Sequence, residues 1–297
     1  MSSPRHWVIV TNQSSGRGRS EAVKQQVAAA MGARGHSFDF IDAVGVEDAR
    51  KSIDALLVSP RPIDGLLVIG GDGTVHHVVK AMIQSGRHLP IGLIPTGNGN
   101  DFARQLRLYG RTIPELIESF TSDAPITIDI LEIHDQIALQ VISTGFDATV
   151  SARARRMPRA IGSLRYVLAL LLQLGALSTT RYRFVVNGIT REVEATLVAV
   201  ANGKNYGRGM LISPESINDD GVFEVVIVGP VSRMKLLLLF PRIFFGSHIN
   251  HPLVETFQTM NLEIEADTIA EADGEPLLSN PLNHRIRTKQ LRTWRMA

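Results

Sequence analysis

The sequence predicts an α/β fold in two parts: a parallel-sheet first domain, then a β-rich domain built as an antiparallel, sandwich-like sheet. Three observations predict it. Short apolar runs alternate with helical patterns through the first part of the chain, as in a parallel sheet covered on both faces. Two of those runs, Leu66-Leu67-Val68-Ile69 and Ile91-Gly92-Leu93-Ile94, each end in a glycine-rich turn that carries an aspartate. Near Pro125 the period changes to two, with Ile126, Ile128 and Ile130 alternating with Thr127 and Asp129, the pattern of a half-buried antiparallel strand.

The elements follow in order. Residues 6–11 read as the first strand, and Ser20 as the N-cap of a helix over 20–30 that ends near Gly32 or Gly35. Residues 37–42 make a second strand, 47–58 a second helix and 65–69 the buried third strand. Val75, Val78, Val79 and Met82 then recur at i, i+3, i+4 and i+7, which predicts a helix with one buried face. Residues 91–94 form a fourth strand and 101–108 a further helix. In the second part, strands are expected at 137–143, 182–187, 194–201, 222–228 and 262–266, with turns at Asn187-Gly188 and Asp220-Gly221. Helical runs at about 163–177 and 232–245 interrupt them. The expected domains are 1–125 and 126–284, with a segment from about 285 to 297 returning to the first.

At 297 residues the chain is long enough for two cores. Its 31 basic and 29 acidic residues leave a net charge of +2, too small to argue for nucleic acid. Only six of the basic residues are lysine. Arginine suits bidentate phosphate contact, although a compositional bias of the genome explains the same excess. The absence of cysteine excludes disulfides, thiolate metal sites and cysteine nucleophiles. The start, MSSPRHWVIVT, lacks the apolar run of a signal peptide. As a helix, residues 166–177 would reach roughly 18 Å, short of the ~30 Å of a bilayer core. Residues 234–246 contain Lys235, Pro241 and Arg242. Neither run spans a bilayer, but both suit an acyl pocket or contact with a membrane surface. A cytoplasmic location is the expectation.

The residues that carry chemistry begin with GGDGT, which is Gly70, Gly71, Asp72, Gly73 and Thr74, and PTGNGND at 95–101. A strand that ends in such a turn before a helix presents backbone N–H groups to a phosphate, and two on successive strands point to a nucleotide phosphate site. No GxxxxGK[ST], no GxGxxG after the first strand and no HRD or DFG set occurs, so the common phosphate-binding motifs are eliminated. What remains is backbone amides plus Asp72 and Asp101, which suit Mg²⁺ held directly or through water. Asp273-Gly274-Glu275 places two carboxylates around a turn, where one can accept a hydroxyl proton; any hairpin can contain the same residues. Asn218 to Gly221, NDDG, reads as a plain turn or a hard-cation site.

Other features have two readings. His76 and His77 diverge by ~100° on a helix and cannot chelate one ion together, so they read as a solvated helix start. Arg153, Arg155, Arg156, Arg159 and Arg165 either meet anionic headgroups or form a solvated face. The run from Leu168 to Leu174 is either core or lipid pocket, and the glycine-rich stretch from Asn202 to Gly207 reads as a loop beside an acceptor site.

Taken together in this order, the motifs resemble the diacylglycerol kinase catalytic-domain family, particularly its bacterial soluble lipid kinases, related to sphingosine and ceramide kinases. Asn12-Gln13-Ser14-Ser15-Gly16 is similar to the family's N-P-x-x-G loop, and PTGNGNDFAR to its PLGTGNDFAR. Asp129 stands at its D-x-G strand, and STGFDA (143–148), the DDG turn and DGE follow. The resemblance covers nearly the whole chain. It implies ATP bound between the domains, with its phosphates over Asn12, Gln13, Ser14, Ser15, Gly16, the stretch from Gly70 through Val75 and His76, Gly97 and Asn98. It also implies a Mg²⁺-linked network of Asp72, Asp101 and Asp129, and Glu275 as general base supported by Asp273. The DDG turn would hold a structural Mg²⁺ through the Asp220 carboxylate and the carbonyls of Ile217 and Val222. The implied acceptor is a lipid hydroxyl at a membrane surface, diacylglycerol first, a sphingoid base or other lipid second, with peripheral contact at the inner face of the membrane, no nucleic acid, and a homodimer.

Four departures stand out: Asn98 for the family's threonine, Gln13 for its proline, Val75-His76-His77 for L-N-E, and Gln140 for an asparagine. NAD kinase shares the GGDGT turn, but the chain lacks that family's G-S-T-A-Y type run. A non-catalytic nucleotide- or lipid-binding module would be expected to lose the acids at 72, 101, 273 or 275, and all are kept.

Overall fold

A computed structural model of the chain describes residues 4–12, 19–43, 51, 62–158, 162, 164–277 and 282–297. The expected helix over 47–58 and the loop residues Gln13, Ser14, Ser15 and Gly16 lie outside the described residues. The chain divides into two compact units, Met1–Ile128 with Gln290–Ala297, and Asp129–Lys289.

In the first unit, β1 (His6–Asn12) leads to α1 (Arg19–Ala33), β2 (Ser37–Ala43), β3 (Gly65–Gly70), α2 (Asp72–Gln84), β4 (Ile91–Pro95), α3 (Asp101–Gln105) and α4 (Ile113–Ser122). The strands run parallel in the order β2-β1-β3-β4. All six residues of β3 are buried, which is why it reads as an unbroken apolar run. Val75, Val78, Val79 and Met82 of α2 are buried, as their spacing predicts.

Helix ends differ from expectation. α1 already includes Arg19, so Ser20 lies inside its first turn rather than capping it, and the helix continues to Ala33. α3 stops at Gln105, short of the expected Leu108, because Arg107 adopts φ 56°, a left-handed conformation that a right-handed helix cannot absorb. α4 opens with a capping box: Thr112 Oγ1 accepts from the Glu115 amide, and Glu115 Oε2 accepts from the Thr112 amide at 2.7 Å.

The second unit contains β5 (Ile126–Ile133, entered from the first unit), β6 (Gln136–Ala138), β7 (Val141–Gly145), α5 (Phe146–Arg156), α6 (Leu164–Gln173), β8 (Thr180–Val186), β9 (Ile189–Ala195) and β10 (Leu197–Ala201). It continues with β11 (Phe223–Val228), α7 (Arg233–Leu239), β12 (Val254–Thr259), β13 (Asn261–Ala266), β14 (Ala270–Ala272), β15 (Glu275–Pro276) and most of β16 (Leu282–Thr293). One sheet runs β12-β11-β10-β7-β14-β15, antiparallel throughout; β16, β13, β8 and β9 form a second antiparallel set, with β5 and β6 beside β16. Tyr182, Phe184, Leu262 and Ile286 from one sheet pack with Ile142, Val198, Phe223 and Val225 from the other in a single core, as in a sandwich.

Two strands expected as single elements are each split where the chain changes sheet. The run over 194–201 breaks at the buried Thr196, whose amide donates to Val228 O at 2.8 Å and whose hydroxyl donates to Gly229 O at 2.9 Å. β9 before it pairs with β8, and β10 after it pairs with β7 and β11. The run over 137–143 breaks in the same way between β6 and β7.

The C-terminal segment completes the first unit. Thr293 of β16 pairs in parallel with Ile91, and its hydroxyl donates to Ile91 O at 2.7 Å. The Trp294 ring lies 5.6 Å from that of Trp7 and 5.3 Å from that of Phe120, and its Nε1 donates to Asp123 O at 3.1 Å. The ring is 2% exposed. Trp294→Ala is therefore expected to destabilise the first unit by about 3–5 kcal/mol, and Trp294→Phe by less, read from urea unfolding followed by Trp7 fluorescence.

Candidate functional site

Three parallel strands deliver the first group of residues. Thr11 of β1 pairs with Ile69 of β3, and Gly70 of β3 pairs with Pro95 of β4. Asn12, the GGDGT turn and the PTGNGND turn therefore leave neighbouring strands at their carboxyl ends, the edge where open α/β sheets bind ligands.

The two glycine turns touch backbone to backbone. A Cβ on Gly97 would lie 2.6 Å from Gly71 Cα, and one on Gly71 would lie 3.0 Å from Gly97 Cα, so both positions require glycine. Thr96 N donates to Gly70 O at 3.0 Å and closes the junction. Asn100, at φ 55°, folds its side chain back: Oδ1 accepts from Gly97 N at 3.0 Å and Nδ2 donates to Gly97 O at 2.7 Å. Asp72 Oδ1 accepts from Phe102 N at 3.1 Å, so the first residue of α2 is tied to the start of α3. Asp101 is buried, Asn98 exposed.

In α2 the first intrahelical bond is Val75 N to Gly71 O at 3.1 Å, which leaves the amides of residues 72 to 74 outside the intrahelical ladder. The side chains of Val75 and His76 are in the core, at 0% and 2% exposure, so neither offers its side chain to a ligand at the surface. His76 thus corrects the reading of a solvated His76-His77 pair: position 76 falls on the buried face, and His77 is half-buried with its ring edge-on to His76 at 5.6 Å.

In the second unit, Asp129 is buried on β5. Its Oδ2 accepts from Gly221 N at 2.8 Å, its amide donates to Asn218 O at 2.6 Å, and its carbonyl accepts from Asn202 Nδ2 at 2.5 Å. Burial, with Asp220 and Asp219 nearby, pushes its carboxyl above the usual range against the pull of the Gly221 amide. Asp220 Oδ1 accepts from Val222 N at 3.2 Å, and Asp220 and Ile217 are exposed. Among the described residues, no three acidic or histidine side chains converge as a ready-made metal cage.

The DGE turn joins β14 to β15 through Asp273 at φ 50° and Gly274 at φ 86°. The Asp273 carboxylate accepts from three consecutive amides, Leu139 at 2.6 Å, Gln140 at 2.9 Å and Val141 at 3.1 Å. These are the residues where the chain crosses from β6 to β7, so Asp273 holds that crossing in place. Glu275 is exposed.

Sequence reasoning missed the group next to this turn. Arg155 Nη1 of α5 donates to Glu271 Oε2 at 2.6 Å and to Gly274 O at 2.7 Å, binding the turn to the helix. Ser143 Oγ donates to Glu271 Oε1 at 3.3 Å, and Asp147 bonds Ser143 and Tyr206. Burial raises Glu271 from 4.5 to about 7, with Asp147 adding to the effect and Arg155 opposing it. Burial likewise raises Asp147 and Tyr206. The available signal was Glu271 itself, a charge between Ala270 and Ala272 on an apolar strand. No helix of the described residues is long and apolar enough to cross a membrane.

Because Glu271 is raised in the folded state, the stability tied to its protonated form is full below about pH 4.5 and is lost as pH rises through about 7. Glu271→Gln is expected to remove most of that decline in a pH series of thermal melts, while an unchanged pH slope would assign the effect to another group.

Residues 6–133 match the diacylglycerol kinase catalytic domain, and residues 140–295 match the YegS C-terminal NAD kinase beta sandwich-like domain. A diacylglycerol kinase of Mycobacterium tuberculosis (strain CDC 1551 / Oshkosh) is 34% identical over 276 residues, covering 90% of this chain and 87% of that one. A Pectobacterium atrosepticum protein named "Probable lipid kinase YegS-like" is 28% identical over 218 residues, 72% of each. A crystal structure of a diacylglycerol kinase from Bacillus anthracis str. Sterne superposes with a TM-score of 0.74 at 18% identity, over 100% of this chain and 98% of that one, and shares its fold. The chain belongs to the diacylglycerol kinase catalytic-domain family and is a lipid-kinase enzyme.

Proposed function

We propose that the chain transfers the γ-phosphoryl group of ATP, with Mg²⁺, to a lipid hydroxyl, diacylglycerol being the leading acceptor. The observation that carries this reading is the backbone contact of Gly71 with Gly97, which brings two phosphate-type turns and the Asp72 carboxylate to one spot on the first unit. The relative of known name with the highest identity given above, a diacylglycerol kinase, supports the choice of acceptor.

The donor set fits Mg²⁺. Asp72 and Asp101 offer hard carboxylate oxygens at the starts of α2 and α3, and Mg²⁺ is commonly held by one or two carboxylates with waters and substrate phosphates completing its shell. When bound, Mg²⁺ neutralises charge on the phosphate oxygens. The chain's own contribution is alignment. The amides of residues 72 to 74 and of Asn98 would donate to phosphate oxygens, and no side chain stands at 71 or 97 to keep the phosphates away. By the family resemblance, Asn12, Gln13, Ser14, Ser15 and Gly16 would add further phosphate contacts. Val75 and His76 serve it only by holding α2 in the core.

In the second unit Glu275 is the proposed base. It takes the proton of the lipid hydroxyl as that oxygen bonds to the γ-phosphorus and the bond to the β,γ-bridging oxygen breaks, releasing ADP. Asp273 supports it through the turn it anchors on three amides, rather than by touching the reacting atoms. Asp220, with the carbonyls of Ile217 and Val222, would serve a structural cation at the DDG turn, and Asp129 braces that turn by accepting from the Gly221 amide.

The test is transfer of labelled γ-phosphate, with Mg²⁺, to micelles of diacylglycerol, monoacylglycerol, phosphatidylglycerol, sphingosine or ceramide, with NAD in parallel. Label is expected in diacylglycerol. Asp72→Asn keeps an oxygen for the Phe102 amide and so keeps the fold, and is expected to lower transfer by about 10²-fold or more. Label in NADP alone, or ATP binding with no labelled lipid, would overturn the proposal.

A further inference from the structure

The outer face of α6 is apolar. Leu164, Val167, Leu168, Leu171 and Leu172 fall within one arc of the helix and are 40 to 63% exposed, whereas Ala169 and Leu170, with Leu174 just beyond its end, supply the buried side. Within 168–174, Ala169, Leu170 and Leu174 are core, as one of the two readings has it, while Leu168, Leu171 and Leu172 are exposed. A helix apolar on both faces is ordinarily buried in a core or in lipid, and here one face is bare. Its neighbours repeat the pattern. Phe146 and Val150 of α5, Leu170 of α6 and Leu236 of α7 share one small core. On the outside, Met234 and Leu238 of α7 and Phe244 and Phe245 of the following 3-10 turn (Phe240–Phe245) are 47 to 81% exposed. Arg233 Nη2 donates to Gly175 O at 2.7 Å, which fixes the start of α7 against the end of α6. Exposed apolar residues in this number, on elements that share one core, mark an interaction surface.

The charge on these elements selects the partner. Residues 146–156, 164–176 and 233–245 contain seven basic residues, Arg153, Arg155, Arg156, Arg165, Arg233, Lys235 and Arg242, of which Arg155 is paired with Glu271, and one acid, Asp147. Asp147 is half-buried and bonded to Ser143 and Tyr206. Two copies joined through this face would bring like charges together. A bilayer with anionic headgroups satisfies both properties, taking the leucines and phenylalanines among its acyl chains and the arginines at its phosphates.

We infer that the outer faces of α6, α7 and the Phe240–Phe245 turn form the surface by which this protein docks on an anionic phospholipid bilayer. The inference extends the lipid-kinase reading by naming where the enzyme meets its substrate's membrane, yet vesicle binding is measurable without any phosphoryl transfer.

The test is co-sedimentation of the full chain with vesicles of phosphatidylcholine, with and without phosphatidylglycerol, alongside kinase assays on a short-chain, micelle-dispersed diacylglycerol. Wild type is expected to bind the anionic vesicles and to lose affinity with added salt. Leu171→Gln with Phe245→Gln is expected to weaken binding about tenfold or more per residue, and Arg156→Gln with Arg242→Gln about fivefold per arginine. All these side chains are exposed, so unchanged thermal melts would show that the variants remain folded. Equal transfer to the dispersed substrate separates docking from chemistry, and transfer to no lipid at all would sink the kinase reading while leaving vesicle binding to decide this one. Failure of wild type to sediment with anionic vesicles would overturn the proposal, as would unaltered binding by the Leu171/Phe245 variant. So would self-association of wild type in analytical ultracentrifugation that the same variant abolishes, because a second copy would then cover the face.

Discussion

The contact between Gly71 and Gly97 is the constraint on which the first unit's chemistry rests. Each glycine ends a turn after a buried parallel strand, and each occupies the space a Cβ on the other would need. The closeness lets the start of α2 reach the start of α3, so that Asp72 can accept from the Phe102 amide. Asn100 completes the arrangement at a left-handed φ that asparagine tolerates better than most residues, bonding both polar backbone groups of Gly97. One short contact therefore sets the positions of two aspartates and of the amides of a helix start.

Carboxylates in the second unit show how differently one functional group is managed by its surroundings. Asp273 is satisfied by three amides in a row and acts as a structural clamp. Asp129 is buried with one amide and has two acids close by, which favours its protonated form. Glu271 is pulled towards charge by Arg155 and away from it by burial and Asp147, and burial prevails. Glu275 is exposed. Of the four, it is the one at the surface.

Much of this was legible because the determinants are local. A buried strand, GGDGT and an amphipathic helix occur within a few residues of one another, and the structure repeats that order from Gly65 to Gln84. What was not legible depends on residues far apart. The break at Thr196 exists because β9 and β10 belong to different sheets. The work of Asp273 depends on amides more than a hundred residues earlier. α6 shows a third limit: its leucines declare a helix, but a helix apolar on both faces does not reveal which face the fold will cover. The short span of α3 turned on the backbone of Arg107, a residue type with no preference for the left-handed region.

The position of Trp294 has a consequence for the order in which the protein is made. The first unit is synthesised first, but the ring that fills the space between Trp7 and Phe120 follows the entire second unit. During translation the earlier unit must wait with that side of its core open, while residues 129–289, a continuous stretch, can complete their own core. Such distant closure slows folding and exposes apolar surface meanwhile. The domain that emerges first from the ribosome is thus the one finished last.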